Sequence, residues 1–253
     1  MSEFNLTPSE TLYYEFVPPK RGMQSYVFVN ALTGNTEMWS GKICKALHTA
    51  GYGTLCFNFR GQANTTFGNE TRLTPKLIVE DICALVEYIK PPSPILVGLS
   101  IGGLFAAQSY LAGCQAVGIV LINTLRKASQ RLDWINRAMV DLARIGGGDL
   151  VMKANLPVIA SPALIASLWD TAFNDTHPSP PSPSDGLLRL MEGALATDWD
   201  FPYEKLQIPV LILTGEHDRL FRINNDIEEL KSRINQVTEK RYANAGHLIP
   251  MEE

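Results

Sequence analysis

The stretch Ile95-Leu96-Val97-Gly98-Leu99-Ser100-Ile101-Gly102-Gly103 decides how the rest of the chain is read. Three apolar residues of a strand run directly into Gly-x-Ser-x-Gly, and the small-residue helical segment 101–112 follows. A serine between such a strand and helix must reverse the chain within a very tight turn. Glycines two before and two after remove the side chains that would collide there. The turn lifts the Ser100 hydroxyl clear of the sheet, at a helix N-terminus whose dipole favours developing negative charge. Gly-x-Ser-x-Gly is common by chance; its place between a strand and a helix makes it a specific signal.

Outward from this turn, short apolar runs alternate with helical patterns. Residues 26–29, 54–57, 117–122, 210–213 and 238–242 are strand candidates, and residues 12–17 add an antiparallel edge strand. Helical spacing predicts helices over 36–50, closed by Gly51, over 74–90, opened by Thr74-Pro75, and over 223–234. Strands apolar on both faces and separated by helices predict an α/β fold, a mostly parallel central sheet flanked by helices. Between residues 124 and 200 the strand pattern stops. Helical segments at 129–145, 162–173 and 185–196 surround the proline-rich run His177-Pro178-Ser179-Pro180-Pro181-Ser182-Pro183-Ser184. The expected organisation is a core formed by residues 1–123 and 201–253, with a helical lid of residues 124–200 inserted before the strand at 210–213.

Bulk composition excludes several classes. The 253 residues carry a formal net charge of -4 and no dense basic run, which argues against a nucleic-acid partner. Arg126-Lys127 and Lys240-Arg241 are the longest basic pairs and read as solvated surface. The first residues have no basic and apolar leader pattern, and no apolar run reaches the roughly 18 to 20 residues of a membrane span. Cys44, Cys56, Cys83 and Cys114 are far apart in sequence, each in an apolar segment and without a CxxC pair. They read as buried free thiols, with neither metal nor redox motif, and the cytoplasm follows as the expected compartment.

A serine needs a base to become a nucleophile. His48 lies inside a helical run, His177 in the proline-rich segment, and His217 precedes an aspartate in Gly215-Glu216-His217-Asp218. His247, in Ala243-Asn244-Ala245-Gly246-His247, follows the last strand and is placed to reach back over the top of the sheet. Asp218 follows the strand at 210–213 on a loop at its C-terminal end, where functional residues of open α/β sheets collect. It is the first choice for the carboxylate that orients the base, with Glu216 second. The order Ser100, Asp218, His247 is that of one hydrolase class.

On these motifs the chain resembles the α/β-hydrolase superfamily, in particular its lid-bearing esterase, lactonase and carbon–carbon bond hydrolase branch. Asn30-Ala31-Leu32-Thr33-Gly34-Asn35 with Trp39 is similar to the family's loop after an early strand, with Asn30-Ala31 in place of His-Gly. Phe57-Asn58-Phe59-Arg60-Gly61-Gln62-Ala63-Asn64-Thr65 is similar to its Asp-x-Arg-Gly-His-Gly-x-Ser segment. The resemblance implies an oxyanion hole of backbone N–H groups from Ile101 and Leu32, to which the Asn30 amide is a further candidate donor. It also implies a further helix after His247, of which only the six residues to Glu253 are present.

The expected reaction is cleavage of a small or medium carboxylic ester or lactone through an acyl-enzyme on Ser100, without metal or organic cofactor. The partner is a small-molecule substrate. Thioesterase, carbon–carbon bond hydrolase and cofactor-free perhydrolase use the same triad and stay open. A ligand-binding or regulatory protein on this scaffold stays open too. A dehalogenase is disfavoured, since that reaction in this fold uses an aspartate where Ser100 stands. The lid is expected to set substrate choice; its apolar and aromatic residues include Trp134, Ile135, Met139, Leu164, Leu168, Trp169, Phe173 and Met191, most of which helical spacing reads as packing, so none is singled out as a binding residue. An apolar substrate suits such a pocket better than a polyanion.

Overall fold

In the computed structural model, which describes residues 2–173 and 178–253, the apolar runs become one eight-stranded sheet. The strands are β1 (Ser2–Thr7), β2 (Glu10–Val17), β3 (Ser25–Val29), β4 (Gly53–Phe57), β5 (Pro94–Leu99), β6 (Gly118–Ile122), β7 (Val210–Gly215) and β8 (Val237–Tyr242). Their order is β1-β2-β4-β3-β5-β6-β7-β8. Pairing from β4 to β8 is parallel, while β1 and β2 join antiparallel at one edge. The central strands are buried almost residue for residue, as a sheet covered on both faces requires.

The helices are α1 (Glu37–Ser40), α2 (Lys42–Ala50), α3 (Pro75–Ile89), α4 (Ile101–Leu111), α5 (Gln130–Ile159), α6 (Pro162–Ala172), α7 (Gly186–Ala194), α8 (Asn224–Ser232) and α9 (Ile249–Glu252). Thr74 caps α3 by accepting from the Leu77 N–H, with Pro75 at the first helical position, as the sequence predicts. The helix expected over 36–50 is instead two, α1 and α2, separated at Gly41. β1 was not anticipated. It is an edge strand whose apolar content is Phe4 and Leu6, too little to stand out from a polar terminus. Three helices, α5 to α7, lie between β6 and β7. The first runs well beyond residue 145 and is bent at Gly146 and Gly147, whose backbone leaves the helical region. His177 lies outside the described residues.

β4 and β5 flank β3 on opposite sides, so the strand order reverses at β3. The crevice above the carboxyl ends at such a reversal is where open α/β sheets bind ligands. Here it receives the loop of Asn30 from β3 and the turn of Ser100 from β5. Arg60 holds the neighbouring loop in place. Its Nε and Nη2 donate to the two Asp81 carboxylate oxygens of α3 at 2.8 and 2.7 Å, and its Nη1 donates to Glu10 of β2 at 2.6 Å. All three side chains are buried. Removing one member of a buried ionic cluster strands the others, at about 3–5 kcal/mol. Arg60→Met is therefore expected to melt about 10 °C below wild type in a calorimetric scan. An unchanged melting temperature would contradict this bracing role.

Candidate active site

Ser100 sits at φ 60° and ψ −128°, a conformation rare for a residue with a Cβ. Its N–H donates to the Ile122 carbonyl of β6 at 2.7 Å, and its carbonyl accepts from Gly103 at 3.1 Å. The flanking glycines are required by space. A Cβ on Gly98 would stand 2.3 Å from the Gly102 carbonyl oxygen, and one on Gly102 would stand 2.2 Å from that of Asn30. Helix α4 thus starts in backbone contact with the loop after β3. That contact brings Leu32 and Ile101 to the same cleft. Neither of their N–H groups has a hydrogen-bond acceptor among the described residues.

Asp218 and His247 meet as the sequence expects. Asp218 Oδ2 lies 2.6 Å from His247 Nδ1, and both residues are almost fully buried. Asp218 Oδ1 accepts from the Leu220 and Phe221 N–H groups at 3.2 and 2.9 Å. Burial pushes the Asp218 carboxyl pKa up, but the adjacent imidazole, the Phe221 N–H and the Arg126 guanidinium outweigh it and hold the group below its ordinary value. Glu216, the second choice, is exposed and faces Arg222. His48 is bonded to Thr54 Oγ1 at 2.8 Å, away from the site.

The histidine loop is held by contacts that local sequence does not announce. The His247 N–H donates to the Ile159 carbonyl at 2.6 Å. Asn123, just after β6, donates from Nδ2 to the Gly246 and His247 carbonyls at 3.0 and 2.9 Å, while its Oδ1 accepts from the Gly215 N–H at 2.9 Å. One amide therefore ties the acid strand to the histidine loop. Glu252 in the one-turn helix α9 accepts from Gly246 and Leu248 through Oε1 and from Ser161 through Oε2, at 3.0, 3.1 and 2.8 Å.

Two expectations are corrected here. The Asn30 amide is not free for an oxyanion: its Nδ2 donates to the Phe57 carbonyl, Asn58 and Gln62, and its Oδ1 accepts from the Trp39 indole at 2.7 Å. Arg126, read as solvated surface, is 6% exposed and lies against Ser100. Its Nη2 donates to Ser100 Oγ at 2.7 Å and stands 3.4 Å from His247 Nε2. Among the described residues no Ser100–His247 hydrogen bond is formed; the guanidinium fills that gap. Its carbon lies 3.8 Å from the centre of the Phe221 ring and 5.3 Å from that of Trp199. Lys127 alone reaches the surface, where it pairs with Glu229.

The cleft over Ser100 is open to solvent. Met139, Val140, Met152, Met191, Trp199 and Phe221 line it. Trp134, Trp169 and Phe173, also among the apolar lid residues, are 79%, 63% and 66% exposed. Burial lowers the Arg126 pKa to about 10. A basic group depressed on folding costs stability at all pH values below its folded pKa, and the cost disappears as pH rises from there into the ordinary arginine range. At neutral pH the cost is about 3 kcal/mol, offset in part by the aromatic contacts. Arg126→Met should therefore melt about 4 °C above wild type at pH 7; a variant that melts several degrees lower would show that the contacts outweigh the burial.

A family model described as the alpha/beta hydrolase fold matches residues 27–253. The chain is 24% identical over 196 residues to 3-oxoadipate enol-lactonase 2 of Acinetobacter baylyi, across 76% of this chain and 70% of that protein. Its fold is shared with MGS-M2, an alpha/beta hydrolase enzyme from a Medee basin deep-sea metagenome library, with a TM-score of 0.80 at 20% identity over 97% of this chain and 90% of that one. An esterase from Thermogutta terrifontis superposes with a TM-score of 0.78 at 19% identity over 100% and 93% of the two chains. The enol-lactonase from Burkholderia xenovorans gives 0.76 at 20% identity over 94% and 90%. The chain belongs to the α/β-hydrolase fold family.

Proposed function

We propose that the chain is a serine hydrolase that cleaves a small or medium carboxylic ester or lactone, with Ser100 as nucleophile, His247 as general base and Asp218 as its orienting carboxylate. The observation that carries this reading is the buried 2.6 Å Asp218–His247 pair beside a serine held on a strand-to-helix turn. The proton path opens when Arg126 Nη2 leaves the gap between Ser100 Oγ and His247 Nε2. Ser100 Oγ then attacks the substrate carbonyl carbon as its proton passes to His247 Nε2. The carbonyl π electrons move to oxygen, and the free N–H groups of Leu32 and Ile101 receive the oxyanion. Collapse expels the alkoxide, which takes the proton from His247. Water repeats the cycle on the acyl-enzyme, releasing the acid and restoring Ser100. The depressed pKa of Asp218 keeps it ionised at neutral pH, where it fixes the Nδ1–H tautomer and stabilises the imidazolium.

Helices α5 to α7 act as a lid in this reading, because α5 and α7 supply Met139, Val140, Met152 and Met191 to the cleft above the serine. The predominantly apolar lining suits an acyl or alkyl chain. Support for ester or lactone chemistry also comes from the similar proteins, among them an esterase and two enol-lactonases.

Release of acid from a panel of short-chain methyl and p-nitrophenyl esters and lactones tests the reaction. Ser100→Ala and His247→Ala should each reduce kcat by about 10⁴-fold or more, and Asp218→Asn by a comparable factor, with folding unchanged by circular dichroism. Turnover that survives Ser100→Ala would rule out the acyl-enzyme.

A further inference from the structure

Arg126 is an unusual neighbour for a serine nucleophile. Among the described residues lining the cleft it has the only fixed charge, and the carboxylate whose field it feels, Asp218, is bonded to His247 rather than to Arg126. It enters no salt bridge with a described residue. Its Nε is buried without a hydrogen-bond partner, and its Nη1 has none among the described residues. The three bonds it makes all run from Nη2, to Ser100 Oγ, the Asn123 carbonyl and His247 Nε2. A guanidinium presents a planar fork suited to two carboxylate oxygens, and half of this fork has no partner.

Its position also opposes the reaction. While Nη2 stands between Ser100 Oγ and His247 Nε2, the serine proton has no route to the base. Once His247 is protonated, a second cation 3.4 Å away disfavours the imidazolium, since both side chains are almost fully buried. Both obstacles disappear if an anion draws the guanidinium aside and balances its charge.

We propose that Arg126 is the specificity-determining residue of this site and selects acyl substrates that carry a carboxylate, whose binding pulls the guanidinium off Ser100 and joins serine to histidine. The inference rests on the hydrolase reading. Because the fork touches Ser100 itself, the carboxylate belongs within a few bonds of the scissile carbonyl, as in half-esters or lactones of short dicarboxylic acids. One guanidinium with no second cation beside it matches a carboxylate rather than a phosphate dianion. The apolar walls from Met139, Met191 and Trp199 hold the rest of the molecule.

The test compares monomethyl succinate, monomethyl glutarate and monomethyl adipate with the neutral esters methyl valerate and dimethyl glutarate, on wild type, Arg126→Lys and Arg126→Met. Wild type should favour the best half-ester over methyl valerate by about 100-fold in kcat/KM, since a site built around a polar partner discriminates strongly against an analogue lacking it. Arg126→Met should bring this ratio near one, and Arg126→Lys should restore part of it. Equal or greater activity of wild type on the neutral esters, or a ratio that survives Arg126→Met, overturns the proposal. Binding of glutarate to Ser100→Ala, measured by calorimetry with and without Arg126→Met, reads the anion site without turnover, and Arg126→Met should weaken it at least about tenfold. Glutarate binding together with no Ser100-dependent hydrolysis of any ester would sink the hydrolase reading and leave the anion site standing. Neutral-ester hydrolysis without glutarate binding would do the reverse.

Discussion

The backbone reversal at Ser100 is the constraint on which the rest of the site depends. A residue with a Cβ at φ 60° and ψ −128° costs of order 1–3 kcal/mol, so the surroundings must leave it no alternative. They do so from three sides. The Ser100 N–H is fixed to β6, the Gly98 and Gly102 backbones leave no space for a looser turn, and α4 is pressed against the loop after β3. The same contacts that enforce the strain leave the N–H groups of Leu32 and Ile101 at the cleft without acceptors among the described residues.

The other half of the site is assembled by polar cross-links between loops at the carboxyl edge of the sheet. Asn123, after β6, bonds both to Gly215 at the end of β7 and to the backbone on either side of His247. Glu252 joins the same loop to Ser161 at the start of α6. Asp218 is shielded by burial yet stays an anion, because the imidazole, the Phe221 N–H and the Arg126 charge all favour its ionised form. The Arg60–Asp81–Glu10 cluster performs the corresponding bracing under the loop after β4.

Much of this was legible in the sequence because the signals are local. Five parallel strands announced themselves as short apolar runs, the Thr74-Pro75 cap fixed the start of α3, and Gly-x-Ser-x-Gly between a strand and a helix located Ser100. Asp218 and His247 could be chosen because each follows a late strand. What escaped depends on long-range geometry. Arg126 stands beside Lys127 in a pair that reads as ordinary surface, and only the packing of the loop after β6 turns one side chain onto Ser100 and the other onto Glu229. Asn123 carries no local signal for a residue that spans two loops. Asn30 is polar at a position adjacent to the site, yet the indole of Trp39 and three acceptors absorb its amide. Which of the lid's apolar residues line the cleft is likewise beyond periodicity: Met139 and Met191 do, while Trp134, Trp169 and Phe173 stay largely exposed.

The central claim is that position 100 carries an activated serine, and covalent labelling by a fluorophosphonate reads it directly. Intact mass measured on wild type and on Ser100→Ala, both shown to be folded, should give one adduct on wild type and none on the variant. An unlabelled wild type, or an adduct that persists in Ser100→Ala, would contradict the account.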